Sequence, residues 1–395
     1  MGNEFLDLLE SIRAEDASVQ KLFGGEGHGV RTSGRGPEYK IRLAEAAKFM
    51  ADVMQGKKPA YLLREAMGTG DFPLLFGDII DRQLLANYRE TPQSYRNYCN
   101  ISTVRDFRTV NRFAISGAEA VLDKVPEGKE YTQRSLDEAR YQYNVQKYGN
   151  TIGFSWEQMI NDDLQAFQDI PQRFGRAARR SEEKFATQLF IDANGPHASL
   201  YTAGNKNIIN VANGASANNP ALSISGLQDG FKVLANMVDS DGEPIVIDAV
   251  ELVVPPALEV TALNILNATE LWLTTDGGDA NRQVHVANWL RNRLRLSVNM
   301  YIPLVATAAN GNTSWFLFAN PNNGRPALEI GFLRGHTEPE IFMKDPDARR
   351  VGGGDSPAQD GDFDTDSIMY KVRHVFGGGQ MDPKMTVASK GTNAV

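Results

Sequence analysis

The spacing of apolar residues predicts that the N-terminal part of the chain is helical. Residues 5–12 form one apolar stripe with the 3.6-residue period of a helix, and a second helix is expected after Pro37. A third is predicted from Pro59 to Gly68, because proline suits the first turn of a helix and glycine the position after its end. Residues 72–89 carry so many large apolar side chains that a helix there needs partners on more than one side.

The following segment predicts two strands that form a long hairpin. Apolar and polar side chains alternate over residues 141–146, and Phe107, Phe113 and Ile115 mark a similar arm earlier in the chain. Between the arms, residues 124–130 are charged and turn-forming. Arms of about a dozen residues reach roughly 40 Å at about 3.3 Å per residue. Since an isolated two-stranded hairpin is only marginally stable in water, we expect it to lie on something else, such as a neighbouring subunit.

A long helix is predicted over residues 171–193, with Pro171 at its start and Gly195 past its end. Its expected packing face consists of Phe174, Ala177, Ala178, Ser181, Phe185 and Leu189. Its first half is enriched in basic residues, which are Arg173, Arg176, Arg179, Arg180 and Lys184. They are spaced around more than one face, with Glu182 and Glu183 nearby. This pattern favours a solvated or intersubunit salt-bridged face over a stripe that binds nucleic acid.

The C-terminal part predicts a mixed α/β region. The pattern indicates helices at 227–237 and 255–266, and strands at 249–254, 315–318, 328–333 and 368–372, while 284–303 is ambiguous between helix and strand.

Composition narrows the class of protein. A chain of 395 residues usually forms two or three domains. The net charge of −8 argues against a sequence-specific nucleic-acid binder, which needs a basic surface, but not against proximity to nucleic acid. The single cysteine, Cys99, cannot form an intramolecular disulfide, which favours a reducing compartment. No apolar window approaches the length of a transmembrane helix, and the N-terminus lacks the layout of a signal peptide, so no membrane association is expected.

A search for catalytic or metal-binding patterns predicts none, and no cofactor is expected. The five histidines are scattered without metal-ligand spacing; they are His28, His197, His285, His336 and His374. Cys99 has no nucleophile signature and is expected to be a half-buried structural thiol. The glycines of residues 24–29 lack the lysine of a phosphate loop, so a flexible connector is favoured. The aspartates of residues 360–366 alternate like calcium ligands, but the glycine and glutamate of a calcium loop are missing, and a solvated acidic loop is favoured.

The order of these features, more than any single motif, resembles the major capsid proteins of tailed bacteriophages with the Hong Kong phage (HK-ninety-seven-like) fold. Residues 72–88 look like the N-terminal arm of that family, and residues 125–128 like the tip of its extended loop. Residues 148–157 resemble the return from that loop, 176–190 its spine helix, and 370–383 the last peripheral strand and tail. The resemblance covers about residues 70–390.

The resemblance implies an α+β fold with an N-terminal arm, an extended β-hairpin loop (E-loop), a peripheral domain with a long spine helix, and an axial α/β domain. The implied segments are 1–60, an N-terminal helical extension; 61–101, the N-arm; 102–153, the E-loop; 154–225, the peripheral domain; 226–350, the axial domain; and 351–395, the returning strand and tail. No enzymatic activity is implied.

The implied function is that of a major capsid protein, which assembles as pentamers and hexamers into the icosahedral shell around the double-stranded DNA genome of a tailed phage. Its partners would be other copies of itself, a scaffolding protein, a portal, possibly a decoration protein, and DNA packaged without sequence specificity. Assembly is expected in the cytoplasm of the bacterial host and the final location in the virion. The expected intersubunit contacts are Phe72, Phe76, Ile80, Tyr88, Phe107, Phe113, Val125, Pro126, Glu127, Lys129, Tyr141, Tyr143, Arg176 and Arg180.

Two alternative functions, and one question of chemistry within the capsid family, stand beside this interpretation. An encapsulin-like compartment shell resembles the same fold. A soluble α/β enzyme would use dispersed residues such as Asp276, Asp279, His285 and Trp289. Some family members cross-link a loop lysine to an asparagine of a neighbour; the sequence offers two lysines near the loop tip but no matching partner, so solvated lysines are favoured.

Overall fold

The computed structural model describes residues 72–116, 127–128, 137–155, 164–239, 242–245, 247, 249–274, 283–291, 293–322, 324–344 and 364–392, with a few positions between 45 and 58. Its helices are α1 (Phe72–Glu90), α2 (Leu164–Gln188), α3 (Ile224–Ala235), α4 (Glu259–Asn267) and α5 (Ile302–Val305). Its strands are β1 (Asn100–Val104), β2 (Val110–Ser116), β3 (Asp137–Tyr143), β4 (Val145–Ser155), β5 (Ile191–Asp192), β6 (Gly195–Pro196), β7 (Ala249–Val254), β8 (Glu270–Thr274), β9 (Gln283–Ala287), β10 (Arg295–Val298), β11 (Trp315–Ala319), β12 (Leu328–Leu333), β13 (Glu340–Met343), β14 (Ser367–Gln380) and β15 (Thr386–Ser389). The α+β class predicted from the sequence is confirmed.

The chain divides into two compact units, each built from three stretches. Unit 1 takes Met1–Pro92, Gln146–Arg180 and Leu333–Phe376. Unit 2 takes Gln93–Val145, Ser181–Phe332 and Gly377–Val395. The division falls within α2 and within β14.

In unit 1, helices α1 and α2 cross at the backbone of Gly175. A Cβ atom at this position would lie 2.6 Å from the carbonyl oxygen of Leu84 and 3.0 Å from the amide nitrogen of Tyr88, so only glycine permits this approach. One turn later, the guanidinium of Arg179 lies 3.5 Å from the centre of the Tyr88 ring, and its Nε donates to the Tyr88 carbonyl at 2.6 Å. A cation–π contact and a hydrogen bond therefore hold the crossing together.

The strands of unit 1 are built around the first part of β14. Strand β13 pairs antiparallel with it, from Glu340 opposite Arg373 to Met343 opposite Tyr370, and β4 pairs with β14 as well. The rings of Tyr148 and Phe376 stack with centroids 4.3 Å apart. The predicted strand at 368–372 is confirmed and is longer than the alternation indicated.

The core of unit 2 is a four-stranded sheet in the order β10-β7-β11-β15, in which β7 and β10 are parallel and the other pairs antiparallel. Every residue of β11 is buried, as expected for an apolar strand covered on both faces. Glycine at position 230 lets helix α3 lie close to β11. A Cβ at this position would lie 2.8 Å from a Leu317 methyl carbon. The indole nitrogen of Trp315 donates to the carbonyl of Pro220 at 2.9 Å, which satisfies a polar group within this core.

Within unit 2, β14 has β12 as its neighbour, with β1 beyond it. The predicted strands at 249–254, 315–318 and 328–333 are confirmed, as are helices close to 227–237 and 255–266. The ambiguous segment 284–303 contains strands β9 and β10 and the start of the short helix α5.

The predicted hairpin is confirmed over the part that the structure describes. Strand β2 pairs antiparallel with β3, from Val110 opposite Tyr143 to Ser116 opposite Asp137. Glu127 and Gly128 form a turn between the arms, and Gly128 has the positive φ of +77° that favours glycine. Phe107, which was assigned to the first arm, lies instead in the bend between β1 and β2.

The predicted ends of the long helix are wrong. It begins at Leu164, so Pro171 lies inside it, and it ends at Gln188. The apolar spacing of the sequence continues upstream of Pro171, and the helix tolerates the one hydrogen bond that proline removes, at a cost of about 3 kcal/mol. The helix stops early because Ile191–Asp192 pairs with Gly195–Pro196 in a tight turn.

The predicted packing face of α2 is only partly correct. Phe174 and Ala178 are buried, but Ser181 is exposed. The buried side instead includes polar residues, which are Arg179, Glu182, Glu183 and Thr187. The other basic residues, Arg173, Arg176, Arg180 and Lys184, are exposed.

Several sequence predictions fall on residues outside the described part of the chain. These are the helices at 5–12 and 59–68, the glycine-rich segment 24–29, most of the helix after Pro37, most of the hairpin centre 124–130, and most of the acidic segment 360–366.

Candidate assembly site

The base of the hairpin is held by one buried carboxylate. Glu329 on β12 is only 3% exposed, and its Oε1 accepts hydrogen bonds from the Tyr143 hydroxyl at 2.6 Å and the Ser102 hydroxyl at 2.7 Å. The guanidinium of Arg112 donates to the same oxygen through Nε and Nη2, both at 2.8 Å. Because these donors come from β1, β2 and β3, a single acidic side chain ties both arms of the hairpin to strand β12.

The charge of Glu329 is stabilised by these donors. Burial by itself would raise the pKa of this carboxyl group, but hydrogen bonds from Tyr143, Arg112 and Ser102 outweigh it and hold the pKa below its ordinary value of 4.5. Burial, together with the hydrogen bond to Glu329, raises the pKa of Tyr143 to about 12. At neutral pH the cluster therefore holds an ionised carboxylate, a neutral phenol and a charged guanidinium.

The chain just before the hairpin is fastened to the second half of α2, again inside unit 2. Glu183 accepts hydrogen bonds from the Ser94 hydroxyl and, at 3.1 Å, from the Ser94 backbone amide. Its neighbour Glu182 accepts from the Tyr95 hydroxyl at 2.8 Å. Burial raises the pKa of Glu183 in spite of these bonds, so its ionised form is less well compensated than that of Glu329.

An aromatic cluster continues this attachment into the core of unit 2. The Tyr98 ring stacks on Phe318 with centroids 5.0 Å apart and meets Phe190 edge to face. The amide group of Asn299 donates to the Tyr98 hydroxyl at 3.0 Å and to the Thr187 hydroxyl at 2.8 Å. The segment from which the hairpin extends is therefore rigidly packed, which limits the directions in which the hairpin can extend.

The structure separates the predicted contact residues into buried and accessible groups. Tyr88 and Tyr143 are buried by partners in their own chain, so they belong to the core of each unit and not to its outer surface. Phe107 and Phe113 are 50% and 59% exposed, Tyr141 is half-buried, and Glu127, Arg176 and Arg180 are exposed. Phe72, Phe76 and Ile80 lie along α1. Val125, Pro126 and Lys129 lie outside the described residues.

Sequence reasoning missed the residues that position the hairpin. Glu329 is an acidic residue within the apolar strand β12. Glu182 and Glu183 lie on a helix for which the predicted contacts were basic residues. A charged residue within a continuous apolar strand was the available signal, because such a residue is buried only with specific partners. Gly175 carried no signal, since its role depends on a helix distant in sequence.

The described residues hold no group of three or more histidine, cysteine or acidic side chains that could bind a metal ion. Cys99 is 2% exposed, and burial, together with the nearby Glu183, raises the pKa of its thiol, which is more deeply buried than the sequence predicted. Of the proposed enzyme residues, Trp289 packs against Phe231, whereas Asp276 and Asp279 lie outside the described part. No described helix is both long enough and apolar enough to cross a membrane.

Comparisons with known proteins identify the family of this chain. The family model described as phage capsid protein matches residues 139–389, which run from the second arm of the hairpin to the last strand. The chain therefore belongs to the phage capsid protein family. A comparison with curated protein sequences found no match.

The chain is also similar to solved phage structures. A chain from the mature capsid of bacteriophage PhiM1 is 13% identical with a TM-score of 0.45, covering 77% of this chain and 89% of that one. A chain from Gordonia phage Cozz is 13% identical with a TM-score of 0.43, covering 75% and 86%. A chain from Mycobacterium phage Ogopogo is 13% identical with a TM-score of 0.42, covering 76% and 92%. At these values the likeness in shape is loose, and the family assignment rests on the sequence match.

The family assignment confirms the main functional prediction. The protein is a structural capsid protein of a phage virion, whose copies assemble into the shell. It agrees with the HK-ninety-seven-like capsid fold implied by the order of sequence features, and it does not favour the encapsulin-like or enzymatic alternatives.

Proposed function

We propose that this major capsid protein forms pentamers and hexamers that close into an icosahedral shell around the double-stranded DNA of a tailed phage. In this proposal the hairpin reaches over an adjacent subunit, α1 belongs to an arm beneath others, and α2 is the spine of a peripheral domain. The segment boundaries at 60, 101, 153, 225 and 350 are part of the same proposal.

The observation that carries the proposal is that the hairpin is fixed at its base but keeps an exposed aromatic side chain. Its base is fixed by the buried Glu329 cluster, whereas Phe113 on β2 keeps 59% of its surface exposed. A two-stranded hairpin with an exposed phenylalanine gains little stability alone, because large apolar surfaces are normally covered. A neighbouring copy is the natural cover in a shell protein, since obligate interfaces bury about 2,000 Å² or more.

The intersubunit contacts are proposed for the accessible residues Phe107, Phe113, Glu127, Tyr141, Arg176 and Arg180. The proposal also keeps Phe72, Phe76 and Ile80 of α1, and Val125, Pro126 and Lys129 from the sequence prediction. We further propose that the shell uses a scaffolding protein and a portal and that it can carry a decoration protein. Assembly would occur in the host cytoplasm, and the chain would have no catalytic activity, cofactor or membrane contact of its own.

The proposal is tested by cryo-electron microscopy of the purified chain under assembly conditions. We expect closed icosahedral particles in which density for the hairpin contacts another subunit. Open sheets, tubes or monomers under every condition that keeps the chain folded would contradict the proposal, as would a hairpin that contacts only its own subunit.

A further inference from the structure

Unit 1 contains a groove lined almost entirely by basic and neutral residues. It has a volume of about 770 Å³ and lies between the start of β4, the middle of α2 and the middle of β14. Among the lining residues that the structure describes, four are cationic and none is acidic; the cations are Lys147, Arg173, Lys371 and Arg373. In a chain with a net charge of −8, such a one-signed cavity requires an explanation.

Two of the cations are held side by side. Lys371 and Arg373 lie two residues apart on β14, so they share one face of the strand, about 7 Å apart. Both lie over the ring of Phe342 on β13, with the Lys371 ammonium 5.0 Å and the Arg373 guanidinium 4.6 Å from its centre. Glu340 pairs with Arg373 at 2.5 Å and offsets part of its charge. The ring and the carboxylate orient both cations, which lowers the entropy lost when they bind a ligand.

The other walls add groups suited to phosphate. Arg173 on α2 and Lys147 on β4 are exposed and line the same groove. Thr151 lies four residues after Lys147 on β4, so it shares a face of the strand with Lys147, and hydroxyl groups commonly donate to phosphate oxygens. The cations come from three separate elements, β4, α2 and β14, and not from one helix or ribbon of the kind that reads base edges in the major groove.

We propose that this groove binds the phosphodiester backbone of duplex DNA without reading its sequence. Each strand of duplex DNA carries a negative charge about every 3.4 Å of the helix axis, so more than one phosphate of a strand falls within reach of the four cations. Because the chain as a whole has a net charge of −8, the groove would hold the genome only lightly. This inference rests on the proposed function, in which the shell encloses DNA.

The test uses the unassembled full-length chain and two short fluorescein-labelled duplexes of unrelated sequence. Fluorescence anisotropy over about 50 to 200 mM salt gives the slope of log affinity against log salt, which changes by about 0.9 for each phosphate contact. The groove variant is Lys147→Gln with Lys371→Gln. The matched control, Lys206→Gln with Lys390→Gln, removes the same charge from exposed lysines outside the groove. Equal melting temperatures for the two variants would establish that both fold.

We expect both duplexes to bind the wild-type chain equally, the slope to fall by about 2 for the groove variant, and the control to match the wild type. Lys147→Arg with Lys371→Arg should retain binding. Equal slopes for the groove variant and the control would overturn the proposal, as would a preference for one duplex or an absence of binding by the wild type. If the groove variant binds DNA normally but forms no shells, the groove binds an acidic surface of another copy instead and the proposal is wrong. Micrographs of wild-type shells test the capsid function separately, because they do not depend on the affinity for DNA.

Discussion

Replacing Glu329 with glutamine tests whether one carboxylate anchors the hairpin. The side chain keeps its size but loses its charge, and one of its two oxygens becomes an amide nitrogen. The four donors from Tyr143, Ser102 and Arg112 converge on Oε1. An amide oxygen is a weaker acceptor for them, and its NH₂ group cannot accept at all.

The expected loss follows from burial and charge. Breaking a buried ion pair costs about 3–5 kcal/mol, but the Arg112 side chain is 42% exposed, so water screens part of this interaction. We therefore expect Glu329→Gln to lower the free energy of unfolding by about 2–3 kcal/mol. Glu338→Gln is the matched control, since it breaks a 2.9 Å pair with Arg89 whose side chains are 42% and 24% exposed. The control should cost about 1 kcal/mol or less.

Urea unfolding of the unassembled chain measures both losses, and hydrogen exchange locates them. The amides of β2 and β3 should exchange faster in the Glu329→Gln variant, while those of β11 stay protected until global unfolding. Equal losses for the two variants, or unchanged exchange in the hairpin, would refute the idea that Glu329 is its anchor.

The same variant predicts a pH dependence. The pKa of Glu329 in the folded chain lies below its ordinary value of 4.5, so the unfolded chain binds the proton more tightly. The stabilisation is therefore fully present above about pH 4.5 and is lost as the pH falls through the lower, folded-state pKa. The difference in unfolding free energy between the wild type and Glu329→Gln should be constant near neutral pH and shrink below that value. A difference that grows on acidification would contradict the assigned direction.

Two further substitutions and one labelling experiment probe other parts of the molecule. Gly175→Ala should lower the free energy of unfolding by about 1–3 kcal/mol in urea titrations, because the new Cβ would meet the backbone of α1. The control Gly204→Ala should be nearly neutral, because its Cβ would meet nothing closer than 3.8 Å. Equal effects of the two substitutions would contradict a tight helix crossing. Phe113→Ser should leave the melting temperature of the unassembled chain almost unchanged but reduce the yield of particles in sedimentation. The control Val211→Ser, at a similarly exposed site outside the hairpin, should not reduce the yield. Normal yields for both variants would count against the hairpin contact. The buried Cys99 should react with a thiol reagent in urea but not in the native chain, and rapid native labelling would show that its surroundings open readily.

Much of the fold was predictable from local pattern. Periodicity and apolar runs predicted the helix at α1, the paired arms β2 and β3, and the apolar strands β7, β11 and β12. The runs of β11 and β12 are apolar because these strands are buried throughout. The order of these elements also led to the capsid family. The ends of α2 were wrong because a proline is tolerated inside a long helix and because a tight turn after Gln188 stops it.

The site depended on contacts that are distant in sequence. Glu329 meets Ser102, Arg112 and Tyr143 from more than 180 residues away, and no local pattern encodes that meeting. The basic groove likewise collects Lys147 and Lys371 from separate stretches of the chain.

Local pattern by itself determined many of the helices and strands, since hydrophobic burial acts on every apolar face in the same way, but it left 284–303 undecided. Tertiary structure alone decided which charges are buried and paired, which remain exposed, and where cations gather without acids. The reason is physical: a charge is tolerated in the interior only when particular partners surround it, and those partners are brought together by the fold.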